Sequence, residues 1–243
     1  MDCDTIRDLI QYCPYHFTEE DVPDPTIKVK MPMFNMVGKE DWMTPAMMWI
    51  IKWNTEPPES LRHDPSLQDQ HGYTCAMYWI AWCQSDVPIY LRHDPTIRCV
   101  YGETCAMKWI KHHKDDVPTY LRHDSAIRDY VDRTCAMWWI MSCKCDVPTY
   151  LRHDPTFQNV SGQTCAMIWI SVCDGDVPTY LRHDPDILDE YDCSCAMVWI
   201  MERDTNIPIY LRHANRSCNL WGCRRLWNEY RFTPIPSYLY SKE

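Results

Sequence analysis

Glycine is scarce in this chain, at 6 of 243 residues, and phenylalanine is scarcer still at 4. So little glycine, with 46% apolar residues, excludes a flexible linker or a disordered low-complexity chain. No apolar run approaches the ~20 residues needed to cross a bilayer. Basic residues are outnumbered, 24 Lys and Arg against 34 Asp and Glu, for a formal charge of −10. A sequence-independent grip on nucleic acid needs the opposite balance, so no nucleic-acid partner is expected. There is no phosphate-binding glycine loop and no nucleophile motif, and no cofactor is expected. The N-terminus, Met1-Asp2-Cys3-Asp4, lacks the basic start and apolar core of a signal peptide.

Cysteine is abundant, with 15 residues. One series, Cys75, Cys105, Cys135, Cys165 and Cys195, recurs at a fixed interval. Stacked helices lie roughly 8–10 Å apart, whereas a disulfide needs Cα atoms about 4.4–6.8 Å apart. Equivalent cysteines in adjacent repeats are therefore too distant to pair. They read as small apolar fillers, which implies a reducing, cytoplasmic setting.

What the chain has in quantity is repetition. Thr74-Cys75-Ala76-Met77-Tyr78-Trp79-Ile80 returns every 30 residues, with Thr44, Thr104, Thr134, Thr164 and Ser194 opening the other copies. A second block, Asp86-Val87-Pro88-Ile89-Tyr90-Leu91-Arg92-His93-Asp94-Pro95, keeps the same beat. A fixed period of this kind is the signature of stacked supersecondary units, each contacting mainly its neighbours. Within one copy Thr74 is a natural N-cap. Ala76, Trp79, Ile80 and Cys83 then fall on one helical face. Asp86 reads as the cap of a second helix with Pro88 in its first turn. That helix must be short, about two turns, because Asp94 precedes a proline. Gly72, Gly102, Asp132, Gly162 and Asp192 each stand two residues before a repeat's Thr or Ser and predict a turn with positive φ.

Three segments follow. Residues 44–213 hold six repeats. Residues 1–43 form an N-terminal cap, with a short helix expected over Asp4 to Gln11 and a degenerate unit around Asp21-Val22-Pro23 and Asp24-Pro25-Thr26-Ile27. Residues 214–243 form a C-terminal cap with a closing helix over Leu220 to Tyr230, ended by Pro234 and Pro236.

Asp69-Gln70-His71-Gly72-Tyr73-Thr74-Cys75-Ala76-Met77 resembles the ankyrin motif D-x-x-G-x-T-P-L-H, and Thr44-Pro45-Ala46-Met47 keeps its proline. Tyr90-Leu91-Arg92-His93-Asp94-Pro95 resembles the end of the second ankyrin helix and the following turn. The resemblance spans residues 44–213. It implies an all-α, ankyrin-like α-solenoid of helix–turn–helix repeats with projecting hairpins, binding another protein along its concave face. The period departs from the family's ~33 residues. Met stands in place of the family's His, and Trp-Ile in place of its small Ala-Ala pair, so the helix pair is expected to splay or rotate.

The recurrent side chains read as packing. His63, His93, His123, His153, His183 and His213 repeat as regularly as the leucines, and one catalytic site needs no copies. They are expected to bond a neighbouring backbone group or loop. The Trp series is expected in the core. The Arg series, Arg62 to Arg212, is expected to form inter-repeat ion pairs with flanking Asp residues. Neither Cys143 with Cys145, nor His213 with Cys218 and Cys223, nor His112-His113, completes a four-ligand zinc set, so no metal is expected.

Information lies where repeats differ. By the resemblance, Gln70, His71, Tyr73, Tyr101, Glu103 and Tyr130 belong to the hairpin tips of a binding surface, as do Arg133, Gln163 and Tyr191. Trp82, Lys111, His112 and Met141, just after the Trp-Ile pair, line its groove. Aromatic residues in such places are typical anchors. Tyr101, Lys111, His112, Tyr130 and Arg133 are expected to form one continuous patch. The chain thus reads as a non-enzymatic protein-binding scaffold. The alternatives are a structural or self-associating solenoid and a Cys/His metal- or redox-responsive protein.

Overall fold

The computed structural model describes residues 24–32, 40–212, 217–231 and 234–239. The expected helix over residues 4–11, the segment Asp21-Val22-Pro23, and His213 lie outside the described residues. The chain divides into two compact units, Met1–Tyr130 and Val131–Glu243. The fold is all-α in character, a series of helical repeats in each of which an α-helix is followed by a short 3₁₀ turn. Among the described residues the named strands are two, β1 (Val29–Pro32) and β2 (Glu40–Met43), paired antiparallel with Val29 opposite Met43.

In the first unit the helices are α1 (Pro45–Trp53), α2 (Cys75–Trp82) and α3 (Cys105–His113). In the second they are α4 (Cys135–Cys143), α5 (Cys165–Val172), α6 (Cys195–Glu202) and the closing helix α7 (Ser217–Tyr230). Each of the six repeat helices starts as its sequence predicts. The Thr or Ser side chain before it accepts the backbone N–H of the repeat Met, for example Met77 N to Thr74 Oγ1 at 3.3 Å. A cap of this kind contributes about 1 kcal/mol.

The second helix is shorter than expected. It is a single 3₁₀ turn in every repeat, Ile89–Leu91 in the repeat of Thr74. Pro88 occupies the capping position, and no side chain caps the turn. Asp86 is therefore not a helix cap. Its carboxylate instead accepts the Tyr120 hydroxyl at 2.6 Å and faces Arg92 at 3.6 Å. Val87 and Leu91 still point inward and are buried.

This truncation accommodates the tryptophans. Trp49, Trp79, Trp109, Trp139, Trp169 and Trp199 are all buried. With one turn in place of a full second helix, the loop comes within reach of the indole, and Trp79 Nε1 donates to the Asp86 carbonyl at 3.1 Å. Trp139 does the same to Asp146 at 3.0 Å. Each buried indole removes up to about 5 kcal/mol worth of apolar surface from water, as an upper bound.

The histidines also hold the frame. Thr74 Oγ1 lies 2.8 Å from His93 Nε2, and His93 Nδ1 lies 2.8 Å from the Asp94 carbonyl. The pattern recurs at Thr44–His63 and Thr104–His123 in the first unit, and at Thr134–His153 and Thr164–His183 in the second. The repeat cysteines sit beneath, with Cys105 Sγ 3.6 Å from His93 Nε2. Burial pushes the Cys75, Cys105, Cys165 and Cys195 thiols up to about 12.

The arginines correct a further expectation. Their ion pairs, Arg92–Asp86, Arg122–Asp116 and Arg152–Asp146, lie within a repeat rather than between repeats. Contact with the following repeat is made by stacking. The Arg92 guanidinium lies 3.6 Å from the Tyr120 ring centroid, and Arg152 and Arg182 cover Tyr180 and Tyr210 at the same distance.

Candidate protein-binding surface

The hairpin tips are built from backbone. Gly72, Gly102, Asp132, Gly162 and Asp192 all have positive φ, as their spacing predicts. At Gly102 the turn also runs against the following tip, where an added Cβ would lie 2.7 Å from Tyr130 N. In the first unit one backbone bond joins each tip to the next, Val100 N to His71 O and Tyr130 N to Tyr101 O, both 2.9 Å. Val160 N to Val131 O and Glu190 N to Ser161 O do the same in the second unit at 3.0 Å. An acidic or amide side chain locks the turn from inside. Asp69 Oδ1 accepts the N–H groups of His71 and Tyr73, both at 2.8 Å.

On the first unit this frame presents tyrosines in a row. Tyr73 and Tyr101 have ring centroids 6.4 Å apart, and Tyr101 and Tyr130 meet edge to face at 5.9 Å. Tyr101 and Tyr130 are 45% and 64% exposed. Tyr73 is half-buried and leans on Tyr78 at 5.5 Å. Burial first, then the nearby Cys99 and Glu103, pushes the Tyr73 phenol well above its ordinary range.

Charged groups floor this row. The Lys108 ammonium lies 4.5 Å from the Tyr73 ring centroid and 2.7 Å from Glu103 Oε2, while Lys111 reaches Glu103 Oε1 at 3.4 Å. Glu103 is thus not a surface contact: it is only 7% exposed and its carboxylate is taken up by two lysines. Burial opposes its charge, but the hydrogen bond and charge of Lys108, then Lys111, outweigh it and hold the carboxyl below its ordinary pKa. His112 is exposed, and burial of its ring with the lysine charges pushes its pKa down. His113 stacks on Trp109 at 3.9 Å, with Nε2 3.1 Å from the Ile80 carbonyl.

The remaining expected residues are placed as follows. Gln70 is exposed and His71 half-buried at the first tip, and Trp82 is 51% exposed at the end of α2. Tyr101, Lys111, His112 and Tyr130 belong to the first unit, whereas Arg133 belongs to the second and lies 4.1 Å over the Trp138 ring. Also in the second unit, Met141 is exposed, Tyr191 projects from its tip, and Gln163 accepts the Asn159 side-chain amide at 3.3 Å. Sequence reasoning missed Tyr78, Lys108 and Trp138. Their signal was present: the position between the repeat Met and Trp reads Met48, Tyr78, Lys108, Trp138, Ile168 and Val198, varying between two constant residues.

Among the described residues no group of three or more His, Cys, Asp or Glu is placed to hold a metal ion. The Cys218 side chain lies outside the described residues, and Cys223 is buried. No described helix is long and apolar enough to cross a membrane.

No protein-family model matches the chain, and no curated protein matches it. Solved structures do. The ankyrin repeat domain of Bcl-3, described as a unique member of the IkappaB family, is 16% identical with a TM-score of 0.43, over 70% of this chain and 82% of that one. The Bd0816 predatory endopeptidase from Bdellovibrio bacteriovorus in complex with immunity protein Bd3460 matches with 11% identity and a TM-score of 0.42, over 56% of this chain and 78% of that one.

Proposed function

We propose that this chain is a non-enzymatic, cytoplasmic protein-binding scaffold that engages its partner through the tyrosine row of the first unit and the helix positions beside it. The observation that carries this reading is the pair Tyr101 and Tyr130, exposed yet held edge to face on hydrogen-bonded tips. Large aromatic side chains on a rigid frame lose little conformational entropy when a partner closes over them. They have no evident packing duty beneath them. Burial raises the pKa of the repeat cysteines and keeps them weak nucleophiles, in keeping with a packing role beneath the binding surface.

The test compares the parent chain with a Tyr101→Ser, Tyr130→Ser, Lys111→Ala variant. A photo-crosslinker at Gln70 identifies what the parent captures, and binding of that protein is then measured for both. Affinity falls at least tenfold, or about 1.4 kcal/mol, in the variant while helical content is unchanged. A partner bound equally well by both would remove the first-unit surface from the reading.

A further inference from the structure

Charge on this surface is sorted by depth. Among the described side chains of its tips, the acidic residues Asp69, Glu103 and Asp129 are buried. Asp69 is consumed by two backbone N–H groups and by the Tyr78 hydroxyl at 2.6 Å. Glu103 is consumed by Lys108 and Lys111. Of the two lysines, Lys108 is buried under the Tyr73 ring, and Lys111 stands in solvent. The buried carboxylates thus lie inward and the Lys111 ammonium outward, on the unit that also exposes Tyr101 and Tyr130. Its neighbour His112 gains positive charge as the pH falls. This is the reverse of the chain as a whole, which carries −10.

We infer that the occupant of this surface is an extended acidic peptide segment bearing aromatic or aliphatic side chains. The inference rests on the protein-binding reading above and gives its partner a chemistry. Two lysines share the Glu103 carboxylate, and the Lys111 ammonium lies in solvent where an incoming carboxylate can reach it. Lys108 cannot turn away to meet it, being fixed by Glu103 and the Tyr73 ring, so Lys111 is the group that reaches out. An acidic segment would be repelled by most of this protein's surface and accepted here, which confines it to one place. Apolar side chains between its carboxylates then lie on the exposed Tyr101 and Tyr130 rings. A basic segment would meet like charge at Lys111, at a site whose carboxylates are already taken.

The full chain is used to select from a random-sequence displayed peptide library. A parallel selection uses a Tyr101→Ala, Lys111→Glu variant, with circular dichroism confirming that both are folded. Peptides enriched on the parent and lost on the variant are expected to be net-negative and to carry aromatic or aliphatic residues. One such peptide, labelled and titrated by fluorescence anisotropy, is expected to lose at least tenfold in affinity on the variant and to weaken as salt is raised. Variant-sensitive peptides that are neutral or basic would overturn the acidic assignment and leave the protein-binding reading standing. Failure to find any variant-sensitive peptide would overturn both.

Discussion

Thr74 and His93 stand 19 residues apart in sequence and are joined by a 2.8 Å bond between Oγ1 and Nε2. Because His93 Nδ1 faces the Asp94 carbonyl, which only accepts, Nδ1 carries the proton and Nε2 is the acceptor. The Thr74 hydroxyl thus donates to the imidazole while its oxygen caps α2. Met77 stands three residues after the capping threonine, and a histidine from the following turn holds the threonine side chain.

At two equivalent histidines, His123 and His183, burial makes stability pH-dependent. Burial lowers the pKa of His123 and His183, against the opposing hydrogen bond from each to the carbonyl of the next residue. The folded-state value lies below the unfolded value of about 6.5, so stability is complete above that pH and falls as the pH drops below it. Loss stops once the folded-state pKa is passed. Urea midpoints measured from neutral to mildly acidic pH should decline in the parent and decline less in a His123→Gln, His183→Gln variant. A parent midpoint that is flat or rises on acidification would refute this account.

The indoles separate packing from hydrogen bonding. Trp139 Nε1 donates to the Asp146 carbonyl, whereas Trp169 Nε1 is buried without a partner. Trp139→Phe should therefore cost about 1 kcal/mol more than Trp169→Phe. Trp109→Ala, which empties a buried site, should cost about 3–5 kcal/mol. Denaturant titration checks all three, and a Trp109→Ala cost below about 1 kcal/mol would remove that residue from the core.

Stacking between repeats is measurable at Arg92 and Tyr120. A double-mutant cycle with Arg92→Ala and Tyr120→Ala should give a coupling of about 0.5–2 kcal/mol. Most of it should survive 1 M salt, because the ring shields the guanidinium, whereas the exposed Arg92–Asp86 pair is screened. Coupling that vanishes in salt would assign the contact to ion pairing instead.

The thiols give a chemical readout. With Cys75, Cys105, Cys165 and Cys195 pushed up to about 12, alkylation of the folded protein at mildly alkaline pH should be slow at these four and fast after denaturation. Mild reductant should leave the melting temperature unchanged. Native disulfides found by mass spectrometry would reverse the compartment argument.

By itself the sequence determined the repeat, the capped first helix, the buried tryptophans and the positive-φ turns. Each depends on residues close together in the chain and is copied often enough to be read. Thr74 announces a helix, and Gly102 announces a turn, whatever lies beside them. Tertiary structure alone decided the rest. Whether Asp86 would cap a helix or receive Tyr120 depended on a residue 34 positions away. That Arg92 would cover a ring as well as face Asp86 depended on the next repeat's approach. Glu103 looked like one more variable surface residue, but Lys108, one helical turn on, folds over Tyr73 and buries its charge. Such outcomes are competitions between partners brought together only by stacking, and the position of the neighbouring repeat, which no local pattern encodes, decides which partner wins.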